Sequence, residues 1–242
     1  MEKKYKLTEE TININGRTLY RIEALKDFND VKKGDKGGYV EDEDNLSQRC
    51  NCWVYDDAMV CDDARVYGDA VVCDKARVHD NVVVSDKATI SGDAEIFDSA
   101  EVFGNARVYG NAEIFDSAQV YGDARVYEYT MVFGNSRVYG NAVVCGDAMV
   151  YGNAEVYDKA IVCGDAMVYD YAEVYDSAEV FGNAKVFDNA EVFGNAEVYD
   201  DAKVYEDARI YGNAKICGVT WVFDKAEFSG NTIVHGDAVV CG

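Results

Sequence analysis

From Val54 to Val240 every sixth residue is Val or Ile, with Phe228 as the one exception, over 32 consecutive positions without an insertion. Two residues before each stands a small residue, Ala in 26 cases. Thr130, Ser136, Thr220, Thr232, Cys52 and Val82 fill the others. Gly, Asp or Glu follows two residues after, then mostly Asn, Asp, Lys or Ser. Residues two apart share one side of an extended segment. The small residue and the Val therefore point inward, and their neighbours point outward. Gly, Asn and Asp tolerate the left-handed backbone of a tight corner. The unit predicts a short strand followed by a corner, as at Gly110-Asn111 and Gly152-Asn153. A helix is excluded, because six is not a multiple of 3.6 and each corner Gly would cost a helix about 1 kcal/mol.

Such units bury their apolar side only by stacking on one another, which predicts a β-solenoid. With three units per turn, residues eighteen apart stack at about 4.8 Å, giving about 10–11 three-sided coils in a rod of roughly 50 Å. The repeat occupies 54–242. Residues 1–53 read as a separate N-terminal cap, because an open solenoid end exposes unpaired strand and core. Thr11 to Ile22 alternates around Asn15-Gly16, a hairpin signal. A turn or 3₁₀ piece over Ala24–Val31 and a strand ending at Val40 follow. Val40 and Leu46 are out of register with Val54, so the first coil is expected to be irregular.

Units such as Val108-Tyr109-Gly110-Asn111-Ala112-Glu113 resemble the hexapeptide repeat of left-handed parallel β-helix proteins. The resemblance implies the left hand, and many members of that superfamily are acyltransferases. Leu25 to Val31, Gly37-Gly38-Tyr39-Val40, Asn45-Leu46-Ser47-Gln48 and Cys52-Trp53-Val54-Tyr55 resemble the N-terminal region of a bacterial and phage group within it. Members of that group are often labelled acyltransferases or polymer-forming proteins.

Net charge is −22, of which residues 1–53 carry −1 and the repeat −21. Such acidity disfavours nucleic acid and anionic membrane as direct partners. No apolar leader or membrane span is read, and a cytoplasmic location is expected. Six of the eight Cys take the outward slot after the Val, usually aromatic, so they read as repeat substitutions. Cys145 and Cys163 stack one turn apart, but their side chains run parallel, and a reduced pair is expected. Cys50-Asn51-Cys52 lacks the spacing of a zinc site. No cofactor or metal is expected.

Stepping by eighteen sorts the outward slots into faces. A first face stacks Phe97, Phe115, Phe133, Tyr151, Tyr169, Phe187, Tyr205 and Phe223, and a second stacks Phe103, Tyr121, Tyr139, Tyr157, Tyr175, Phe193 and Tyr211. The third is mixed. In-register rings support a sheet by cross-strand contact. The first face also carries Met131, Met149 and Met167 beside Phe133, Tyr151 and Tyr169, with Trp221 further along. A strip of adaptable Met and rigid aromatics suits protein binding. The sequence ends mid-pattern at Val239-Val240-Cys241-Gly242, and the last turn is expected to be covered by a second copy of the same end or by a partner. Corners after the first face stack Asp62, Asp80, Asp98 and Asp116, then Asp170, Asp188, Glu206 and Asp224. Carboxylates so close should repel, with some holding a proton or a cation, unless water screens them. Rows of them could also stand in for phosphates.

Catalysis is not expected. The two His, His79 and His235, sit in slots usually aromatic or Cys and read as drift of the repeat. No insertion builds a pocket, and no nucleophile triad or phosphate loop appears. A flat small-residue face of the ice-binding kind is also missing. The expected function is a non-catalytic, acidic, self-associating scaffold or protein-binding module of bacterial or phage origin. The alternative is a nucleic-acid mimic that inhibits a DNA- or RNA-handling enzyme, and a hexapeptide acyltransferase comes third.

Overall fold

The computed structural model describes residues 3–242. They are all-β, and no helix among them is long and apolar enough to cross a membrane. The chain divides into two compact units, Met1–Asp116 and Ser117–Gly242. In both, two-residue strands recur every six residues, and each pairs in parallel with the strand eighteen residues away. Three strands complete one coil, so each unit is a three-sided β-solenoid.

Ser117–Gly242 shows the repeat without interruption. Each of its three faces holds seven strands among the described residues. Coils are joined by backbone bonds such as Met149 N–H to Ala166 O at 2.9 Å and Tyr151 N–H to Val168 O at 3.0 Å. The inward Val and Ala alternate through the core, and from Ala118 to Val222 the inward residues are fully buried. Burying each Val contributes about 1.5–3 kcal/mol before the cost of ordering the chain. Ala predominates in the slot just before each strand, beside the corner. Where Thr130, Ser136 and Thr220 replace it, the hydroxyl donates to the carbonyl three residues earlier, of Tyr127, Phe133 and Cys217, at 2.7–2.8 Å. The substitution is tolerated because no buried hydroxyl is left unpaired. In the coil ending the unit, Phe228, Val234 and Val240 are only half-buried.

Met1–Asp116 begins differently. Strands β1 (Tyr5–Ile14) and β2 (Arg17–Ala24) form an antiparallel hairpin turning at Asn15 and Gly16, both at positive φ. This is the hairpin that Asn-Gly predicts. Of the turn or 3₁₀ piece expected next, a turn forms, in which Phe28 and Val31 close a tight antiparallel bridge around Asn29. Strand β3 (Lys36–Val40) then pairs antiparallel with β2 on one edge and parallel with Met59–Val60 on the other. It converts the antiparallel sheet into the parallel stack. Val40 stacks on Val60 and Leu46 bridges to Val66, twenty residues away instead of eighteen. The two extra residues account for the broken register.

The N-terminal segment has a specific electrostatic task. In the repeat each coil's N–H groups donate to the next coil's carbonyls. The carbonyls of the first coil therefore lack a donor, and buried acceptors must be paired. Residues 3–53 supply those donors. Tyr39 N–H serves Ala58, Glu41 N–H serves Val60, and Ser47 N–H serves Val66. The Asn45 amide serves both Asp62 and Ala64, and the Arg21 guanidinium serves Asp56 at 3.1 Å. Lys4, 1% exposed, donates its ammonium to Cys52 O at 2.7 Å. Its charge sits 5.3 Å from the Phe28 ring centre, and burial lowers its pKa. Gly37 and Gly38 let β3 approach this coil. A Cβ there would stand 2.5 Å from the carbonyl oxygens of Val54 and Ala58.

Candidate functional site

Two regions carry chemistry beyond the repeat, one in each compact unit. In Ser117–Gly242 it is the first face. Met131, Met149 and Met167 pair in register, flanked by the rings of Phe133, Tyr151 and Tyr169. These rings stack at 4.8 Å and within 2° of parallel. Phe187, Tyr205 and Phe223 continue the stack at 4.9–5.1 Å. The Met and aromatic side chains are half-buried by their neighbours. Trp221 is 40% exposed, with the Lys203 ammonium 4.5 Å over its ring, and Val239 beside it is 66% exposed. Val240 points inward, half-buried, and its strand pairs with Trp221–Phe223. The predicted contact residues of this unit thus lie on one sheet, except that Val240 is on its inner side.

The second face of the same unit carries a feature that the spacing of eighteen does not show. The hydroxyls of Tyr139, Tyr157 and Tyr175 each donate at 2.9 Å to the carboxylates of Glu155, Glu173 and Glu191, sixteen residues on. Burial, reinforced by these carboxylates, raises the pKa of all three phenols, that of Tyr175 to about 12. On the third face Cys145 and Cys163 form a disulfide with Cα atoms 4.6 Å apart. This corrects the expectation of a reduced pair. Parallel side chains one coil apart are within bonding reach because 4.6 Å falls inside the range a disulfide spans.

The acidic corners also resolve physically. Asp62, Asp80, Asp98, Asp116, Asp188 and Asp224 all sit at positive φ, as does Asp170. In the first unit Asp80 accepts the N–H of Asp98, and Asp98 accepts the N–H of Asp116, each at 3.3 Å. In the second unit Asp188 accepts from Glu206 at 3.2 Å, and Glu206 from Asp224 at 2.7 Å. Asp80, Asp98, Asp188 and Glu206 thus each bond the corner of the next coil, which offsets repulsion along the row.

The other region lies in Met1–Asp116, against the hairpin. A cavity of about 140 Å³ opens between Ile14, Arg17 and Leu19 on the hairpin side and Met59, Cys61, Asp62, Arg77, His79 and Glu95 on the coils. His79 takes the aromatic slot and stacks on Phe97, rings 5.6 Å apart and 9° from parallel. Unlike Phe, it has polar partners. Nδ1 lies 2.8 Å from Asp80 Oδ2, and Nε2 lies 3.0 Å from Glu95 Oε1. Arg77 holds Glu95, and Arg17 bridges Asp62 to Glu41. Burial pushes the Cys61 thiol up to about 12, with the adjacent Asp62 carboxylate adding to the shift. Asp62, His79 and Asp80 bring donor atoms within 4.8 Å of one another. Reading His79 as drift accounts for its stacking but not for these contacts. The usable signal is the sixteen-residue step from His79 to Glu95, the same step that joins Tyr to Glu.

Coils of six-residue sides, an apolar Val and Ala core, and positive-φ corners define one class: this chain is a hexapeptide-repeat β-helix protein. Residues 58–74 and 118–134 match the family described as YdcK Beta solenoid repeat. A protein of Escherichia coli (strain K12) named "Uncharacterized acetyltransferase YdcK" is 50% identical over 38 residues. That segment is 16% of this chain and 12% of the E. coli protein.

Proposed function

We propose that this protein works without catalysis, as a scaffold that associates with a second copy of itself through the first face of Ser117–Gly242. The observation behind this reading is the in-register strip of Met131, Met149 and Met167 beside the stacked rings of Phe133, Tyr151 and Tyr169. A flat strip of this kind offers large apolar contact at low entropic cost. One isologous, antiparallel pairing open to it is centred on Lys185, whose two ammonium groups would have to turn aside to the rim. That pairing sets Met149 against the partner's Trp221 and Met131 against the partner's Val239. The two most exposed apolar side chains of this face, Trp221 and Val239, would then meet thioethers.

Sedimentation of the full chain at 0.5 M salt is the test. The wild type is expected to sediment as a dimer, and Met149→Lys with Tyr151→Lys as a monomer with unchanged far-UV circular dichroism. A monomeric wild type, or a double variant that remains dimeric, would overturn the reading. The nucleic-acid-mimic alternative draws support from the stacked carboxylates, but several spend an oxygen on the next corner's N–H. Acetyl transfer, suggested by the name of the E. coli protein, would draw on His79 as a base. Its two carboxylate neighbours fit a different role better.

A further inference from the structure

We infer that Asp62, His79 and Asp80 form a binding site for one divalent transition-metal ion, of the zinc type. Two carboxylates face the His79 ring nitrogens, Asp80 at Nδ1 (2.8 Å) and Glu95 at Nε2 (3.0 Å). With Nε2 turned to Glu95, Nδ1 is left on the side of Asp80, and Asp62 brings a third donor atom to the same place. A cation between Nδ1, Asp80 and Asp62 would meet one imidazole nitrogen and two carboxylate oxygens.

The surroundings fit the same arrangement. Glu95 is then the outer carboxylate that fixes the tautomer and aims the ring, a role second-sphere carboxylates commonly play for metal-bound histidine. Arg77 pins Glu95 in turn, and Phe97 supports the ring by stacking. The three donor atoms lie within 4.8 Å of one another. Ligands bound at about 2.0–2.2 Å sit up to about 4 Å apart, so small side-chain rotations close the site. The adjoining cavity of about 140 Å³ has room for water to complete the coordination. Arg17 competes for Asp62, but it already holds Glu41 by two contacts at 3.0 and 3.1 Å and can release Asp62 without losing its partner. One imidazole with two carboxylates selects for zinc-like ions over magnesium or calcium, which take oxygen alone.

The probe is Co²⁺, followed by visible absorption, with Zn²⁺ titrated by calorimetry, on the full chain freed of metal with EDTA. One equivalent of each is expected to bind. His79→Phe puts the usual aromatic into the slot and keeps the stack, so folding should survive, as thermal denaturation would verify. It is expected to weaken binding at least about tenfold, and Asp80→Asn, which keeps a residue at ease at positive φ, is expected to act in the same direction. Absence of binding in the wild type would overturn the inference and leave His79 held by its two carboxylate contacts alone. Equal affinity in His79→Phe, or binding lost only on replacing Cys50 and Cys52, would overturn it equally.

Discussion

The segment before Trp53 and the coils after it solve the same problem, pairing every buried polar backbone group, in opposite ways. In the repeat the solution is copied. N–H groups along the strands find the carbonyl seventeen residues on, as Met149 finds Ala166 and Tyr151 finds Val168, and each rung resembles its neighbours. In the N-terminal segment every solution is made once. A backbone strand serves Ala58 and Val60, an amide serves Asp62 and Ala64, and a buried ammonium serves Cys52. Redundancy makes single rungs dispensable, whereas unique contacts have no substitute. The comparison therefore places fragility at the covered end of the stack, away from the repeat that supplies most of the mass.

The strongest way to break this contrast is at Lys4. Lys4→Met keeps the length of the stem but leaves the Cys52 carbonyl buried without a donor. Such a loss costs about 1–3 kcal/mol. Removing a buried charge refunds part of its desolvation, so a value near the lower end is expected. Urea denaturation should show the loss, with hydrogen exchange rising first over residues 3–53. A variant as stable as the wild type would show that the capping donor is dispensable and the contrast between regions unfounded.

The Tyr–Glu rungs of the second face sharpen the comparison next. Burial and the Glu191 carboxylate raise the Tyr175 pKa from 10.0 to about 12, and Tyr157 is raised in the same sense. A phenol whose folded pKa exceeds its unfolded value contributes stability fully below the unfolded value. That contribution is lost as pH climbs through the folded one. Thermal stability should therefore fall between about pH 10 and about pH 12, and the fall should be shallower in Tyr157→Phe with Tyr175→Phe. An unchanged alkaline profile would mean that the rungs do not couple protonation to folding.

How much was legible follows the same division. The sixfold period gave the core, the corners, the three faces and the stacking of Phe133, Tyr151 and Tyr169, because one translation generates all of them. The hairpin at Asn15-Gly16 was legible from turn chemistry alone. The donors that cap the first coil were not. Lys4 and Cys52 are 48 residues apart, and no period links them. The disulfide between Cys145 and Cys163 was misjudged by weighing side-chain direction over distance. His79 was hidden for a subtler reason. Slot statistics compare residues eighteen apart, whereas its polar partner Glu95 lies sixteen away, across the diagonal of two adjacent coils.

The smallest effect is expected at an acidic corner, where two terms oppose each other. Asp98 holds a left-handed φ of 57° and accepts the N–H of Asp116. Asp98→Gly relieves the backbone but loses the bond, and each term is worth about 1 kcal/mol. The two should nearly cancel. Asp98→Ala keeps the unfavourable backbone and loses the bond as well, so it should cost about 1 kcal/mol more than the Gly variant. Denaturation midpoints of the two variants, measured side by side, separate the contributions. Equal midpoints would mean that the left-handed backbone carries no measurable cost here. The preference for Asp at these corners would then rest on the carboxylate alone, and the acidity of the repeat would be a by-product of how one coil is fastened to the next.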